Sequence, residues 1–102
     1  RLPVLLDGGV RSGEDIARAI ALGADMVLLG RPFLYAAAAR GARRGGGDLF
    51  AILADELDRA MTQLGASTLA QLRQVETFAP TTFNAAPARP DLRAVESRRT
   101  AP

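Results

Sequence analysis

Two short apolar runs, each closed by a glycine turn, constrain this chain more than anything else in it. The first is Pro3-Val4-Leu5-Leu6, ended by Asp7-Gly8-Gly9. The second is Met26-Val27-Leu28-Leu29, ended by Gly30-Arg31-Pro32. Neither run alternates apolar with polar residues. Continuous apolar strands are usual where a sheet is buried on both faces, as in parallel sheets. Between the runs, Ser12-Gly13-Glu14-Asp15 supplies a small hydroxyl and two acids, which suit a helix N-terminus. Ile16, Ala17, Ala19 and Ile20 then recur at helical spacing. Gly23 follows Leu22 and fits a C′ stop. Strand, helix and strand in this order predict a βαβ unit with parallel strands.

Downstream the pattern is helical. Pro32 suits the first turn of a helix, and Phe33 to Arg40 is alanine-rich. Gly41 to Gly47 reads as a glycine- and arginine-rich loop, with Asp48 as the cap of a helix running to about Leu64. Leu49, Phe50, Ile52, Leu53, Leu57, Ala60, Met61 and Leu64 form its apolar stripe. Gly65 ends that helix. Ser67 is placed to cap a short last helix, Thr68 to about Gln74, with Leu69 and Leu72 inward. After Phe78 the prolines at 80, 87, 90 and 102, among scattered Ala and Arg, predict a flexible tail over 79–102. Residues 1–78 are thus one structured portion.

Two parallel strands buried on both faces need neighbours on their outer edges. The chain opens on Arg1 and enters the first strand almost at once. Both features lead us to expect further protein upstream.

Composition excludes several kinds of chemistry. There is no cysteine and no histidine, and all 13 basic residues are arginine. Disulfides, thiolate catalysis and cysteine- or histidine-based metal sites are therefore ruled out. No apolar run approaches the roughly 20 residues of a membrane span. Nucleic-acid binding calls for a basic stripe with interleaved aromatics. Aromatics make up 5% and the net charge is +2, so it is not expected. The lack of disulfides suits a cytoplasmic protein.

The glycine turns are the candidate site. Glycines let the backbone come close to a ligand. Amides at a helix N-terminus attract anions, and arginine adds a forked, charged donor for phosphate oxygens. Asp-Gly-Gly or Gly-Arg-Pro alone is a weak signal. Two such loops after consecutive strands are a stronger one, because a recurrent phosphate site in barrels is built from neighbouring strand-end loops.

These segments resemble a known family. Leu5-Leu6-Asp7-Gly8-Gly9-Val10-Arg11-Ser12-Gly13-Glu14-Asp15, Ala19-Ile20-Ala21-Leu22-Gly23-Ala24 and Val27-Leu28-Leu29-Gly30-Arg31-Pro32-Phe33-Leu34-Tyr35 are similar to the C-terminal section of the FMN-dependent α-hydroxy-acid oxidases and dehydrogenases. Glu56-Leu57, Met61 and Leu64-Gly65 resemble that family's closing helix. The match runs over about residues 1–75.

The resemblance implies an α/β fold in which this chain is the C-terminal part of a (β/α)8 TIM barrel, strands seven and eight with their helices. It implies FMN as cofactor. Its phosphate would be held by Gly8, Gly9, Val10, Arg11, Gly30 and Arg31, with Asp7 beside the ribityl chain. Arg11 would act through its side chain, Arg31 mainly through its backbone amide. The complete enzyme would oxidise an L-2-hydroxy acid to a 2-oxo acid, and as the family is often tetrameric a homo-tetramer is expected.

The family's base is a histidine, with a lysine near the flavin, and this chain has neither. Tyr35 lies beyond the strand-end loop and is expected to pack. No catalytic residue carries over, so the chain alone is expected to be inactive. Type 2 isopentenyl-diphosphate isomerase and inosine-monophosphate dehydrogenase have related phosphate loops. A fragment of such an enzyme, or a non-catalytic phosphate-binding remnant, is the alternative reading. The helix from Glu56 to Gly65 favours the hydroxy-acid family.

Overall fold

Apolar runs that pair side by side need a crossover between them, and the helix predicted after Ser12 provides it. The computed structural model describes residues 1–78. Strand β1 (Leu5–Asp7) leads into helix α1 (Gly13–Ala21), strand β2 (Met26–Leu28), helices α2 (Arg31–Arg40) and α3 (Ala42–Gln63), and the single turn α4 (Leu69–Leu72). The strands are parallel, with Leu5 opposite Met26, Leu6 opposite Val27 and Asp7 opposite Leu28. The tail expected over 79–102 lies outside the described residues. Among the described residues no helix is long and apolar enough to cross a membrane.

Local rules account for most helix ends. Ser12 caps α1, its hydroxyl accepting from the Asp15 N–H at 3.1 Å. At the other end Gly23 takes a φ of +110°, which favours glycine. Its N–H donates to Ile20 O, and Ala24 N–H donates to Ala19 O at 2.9 Å. This is a Schellman closure. Gly65 repeats it after α3, with Ala66 N–H donating to Met61 O at 2.9 Å. The residues that follow the two glycines, Ala24 and Ala66, are both buried.

Three expectations need correction. The glycine-rich segment 41–47 is not a loop, because α3 already starts at Ala42. Gly45 is the reason. A Cβ there would strike the backbone of Ala36 and Ala37, so the glycine lets α2 and α3 pack backbone to backbone. Asp48 is consequently not a cap. It lies inside α3 and pairs with Arg40 at 3.2 Å. The cap of α4 is Thr68 rather than Ser67. The Thr68 hydroxyl accepts from the Gln71 N–H at 3.2 Å, while the Gln71 side chain accepts from the Ser67 N–H at 2.7 Å.

The core lies between helices, not against the sheet. Ala17 and Ile20 of α1, Ala60 of α3, Ala66 and Leu72 are buried together, with Ile16, Leu57, Met61 and Val75 packed around them. The strands expected to be buried on both faces are open instead. Leu5 is 54% exposed and Met26 55% exposed, since among the described residues each strand has only the other to pair with. Tyr35, Phe50, Ile52 and Leu69, expected inward, are also exposed.

Candidate functional site

Both strands run in one direction, so their C-terminal ends, Asp7 and Leu28, lie side by side and the two glycine turns leave from the same edge. In open α/β sheets ligands bind at that edge. The turn after β1 is sharp because Gly8 and Gly9 adopt φ of +104° and +77°, conformations that side chains disfavour. No atom would meet a Cβ at Gly8, Gly9 or Gly30, so the backbone there borders open space.

That space is a cleft of about 300 Å³ lined by Asp7, Gly8, Gly9, Val10, Arg11, Leu28, Leu29, Gly30, Arg31 and Pro32. All seven residues singled out from the sequence line it. Val10 is buried and anchors its loop, whereas Arg11 and Arg31 are exposed. Arg1, Arg18, Arg40, Arg59 and Arg73 each pair with an aspartate. Among the described residues Arg11 and Arg31 make no such pair, which leaves their charge available to a ligand.

The two helix N-termini at the cleft differ, and here the sequence reading is sharpened. The start of α1 is already engaged by the chain's own side chains. Arg11 N–H donates to Asp15 Oδ2 at 3.1 Å, Gly13 N–H to Glu56 Oε2 at 2.7 Å, and Asp15 N–H to the Ser12 hydroxyl. Two carboxylates and a hydroxyl therefore satisfy donors that would otherwise face an anion. The start of α2 has no side-chain cap and no acid in its first turn; Arg31 occupies its first position and Pro32 its second. The positive end of that helix dipole is free of local anions. Glu56 was noted in the sequence only as part of a helix. Its partner Gly13 is 43 positions away, and no local pattern connects the two.

A second cleft, of about 690 Å³, lies between α1, the end of α3 and Val75–Phe78. It is larger, but its walls are mainly apolar, and it contains neither glycine turn. Chemistry, not volume, selects the smaller cleft.

Comparison with known proteins gives the chain's family. The family model for FMN-dependent dehydrogenases covers residues 1–77. An L-lactate dehydrogenase of Caulobacter sp. (strain K31) is 53% identical over 72 residues, which is 71% of this chain and 19% of that protein. An L-lactate dehydrogenase of Acinetobacter baylyi is 45% identical over 73 residues, covering 72% of this chain and 19% of the relative. The crystal structure of mandelate oxidase with benzoyl-formic acid superposes with a TM-score of 0.71 at 43% identity, covering 74% of this chain and 22% of that one. A mandelate oxidase variant carrying a C4a-OH-FMN adduct gives 0.72 at 42% identity, over 76% and 23%. The chain thus spans about a fifth of the length of these relatives. Its family-model match, its identity to these proteins and its shared backbone lead to one assignment: the chain belongs to the FMN-dependent dehydrogenase family.

Proposed function

We propose that this chain is the phosphate-holding part of an enzyme that oxidises an L-2-hydroxy acid to the 2-oxo acid, and that it corresponds to strands seven and eight of a (β/α)8 barrel. The observation that carries the reading is the convergence of both glycine turns and two unpaired arginines on one cleft at the C-terminal strand edge. The names of the relatives support the substrate class, since lactate and mandelate are both 2-hydroxy acids. FMN, when bound, supplies the acceptor for the two electrons that leave the substrate's α-carbon.

The residues present fit the phosphate end of that cofactor. The cleft is at the small end of ligand pockets, enough for one end of FMN. The phosphate would be held at the uncapped start of α2 by the Arg31 amide. Arg11, whose own amide is taken by Asp15, would add its guanidinium. Gly8, Gly9 and Gly30 let the backbone approach without side-chain interference. Asp7 repels phosphate, and its place is beside the ribityl hydroxyls, which can donate to it. No residue here acts on substrate. The chain binds and orients the cofactor, and the acid–base groups belong to other segments of the complete enzyme.

In the complete enzyme, Arg11→Ala is expected to weaken FMN binding by about 1.5–3 kcal/mol, the usual worth of a hydrogen bond to a charged group. Arg31→Ala costs less, because the amide remains. Equilibrium dialysis against FMN measures both. An Arg11→Ala enzyme that holds FMN as tightly as before removes Arg11 from the site.

A further inference from the structure

The loop after β1 is flexible in its chemistry, with two adjacent glycines at positive φ, yet it has to present Arg11 to the cleft. Its fastenings are few. The Arg11 amide is tied to Asp15, which lies in the same loop–helix unit. The bond from Gly13 N–H to Glu56 Oε2, 2.7 Å and partly buried, ties the end of the loop to a helix 43 positions away. Gly13 also sits so close to α3 that a Cβ on it would run into the backbone of Glu56 and Leu57. Buried Val10 anchors the middle of the loop, and α3 holds its end at Gly13.

We infer that Glu56 is a positioning residue for the cofactor phosphate. Its carboxylate occupies the N-terminus of α1 as an internal anion, fixes where the loop ends, and leaves the uncapped α2 as the terminus open to the phosphate. A carboxylate accepting a backbone N–H at a helix N-terminus is a strong, charge-assisted interaction. The role depends on acceptor reach as well as charge. Aspartate, one methylene shorter, does not span the gap, whereas glutamine keeps an oxygen at the same distance.

The inference rests on the phosphate reading of the cleft, and the test separates the two. Dissociation constants for FMN and for riboflavin, the same flavin without phosphate, are measured on the complete enzyme and on Glu56→Ala, Glu56→Asp and Glu56→Gln. The unsubstituted enzyme prefers FMN. Glu56→Ala and Glu56→Asp are expected to lose at least about tenfold of that preference while riboflavin binding stays within about threefold. Glu56→Gln keeps the preference within about threefold. Should Glu56→Ala fail to fold, Glu56→Asp decides alone. A preference that survives in both Ala and Asp variants overturns the role of Glu56 and leaves the cleft reading standing. Equal loss of both flavins overturns it too, because Glu56 then serves the fold alone. An unsubstituted enzyme that binds the two flavins equally overturns the cleft reading and this inference together.

Discussion

At the scale of single residues, Asp25 shows how much one carboxylate can join. It sits just before β2 and accepts from Arg1 at 2.6 Å, from the Val4 N–H at 2.8 Å and from Arg73 at 2.9 Å. The starts of both strands and the segment after α4 meet on this one side chain. The Val4 N–H above all, then the two guanidinium groups, outweigh desolvation and hold the Asp25 carboxyl below its ordinary range. A carboxyl depressed by folding stabilises the fold above its unfolded pKa, and that contribution fades as pH falls through the lower folded value. Asp25→Asn is therefore expected to lower the urea midpoint at about pH 7, with the gap to the parent narrowing below about pH 4, near the ordinary aspartate value. An Asn variant displaced equally at both pH values would mean that the charge of Asp25 contributes nothing. In the sequence Asp25 has no neighbour that marks it as a junction. Its partners Arg1 and Arg73 come from distant positions, and only the fold brings them together.

At the scale of elements, α1 was readable almost whole, and α3 only from Asp48 onward. The cap at Ser12 and the stops at Gly23 and Gly65 are set within a few residues by φ preference and local hydrogen bonds, so the sequence suffices to place them. The run Gly45-Gly46-Gly47 disfavours helix locally by about 1 kcal/mol per residue. It is helical because Gly45 allows close packing on Ala36, a contact between two helices that neither segment shows alone. Gly46 and Gly47 have open space where a Cβ would go. Gly46→Ala and Gly47→Ala should each raise stability by about 0.5–1 kcal/mol, seen as a higher thermal midpoint. A drop at either position would show that the glycine itself is needed there.

At the scale of the whole molecule, the sheet is the unfinished part. Its residues are apolar enough for a two-sided interior, yet Leu5, Leu6, Met26 and Leu28 all stand exposed beside a helical core that does not cover them. The cleft has walls on one side only, from the two strand-end loops. The 102-residue chain by itself is accordingly expected to bind FMN weakly or not at all in a fluorescence titration. Ordering an open half-site uses up binding energy that a preformed one keeps. Tight stoichiometric binding by the chain alone would contradict this.

What the sequence determined by itself was everything governed by neighbours along the chain: the two strands with their glycine turns, and the ends of α1. Period, φ preference and capping act over a few residues, and the parallel crossover follows from their order. Local residues already separate the two helix N-termini, Ser12 and Asp15 engaging α1 while α2 starts at Gly30 without an acid, and tertiary structure adds the long-range acceptor. Glu56 reaches Gly13 across 43 positions and fills α1, while α2 receives no such partner. That contact rests on the close approach of two helices, and an approach in space has no signature in local sequence.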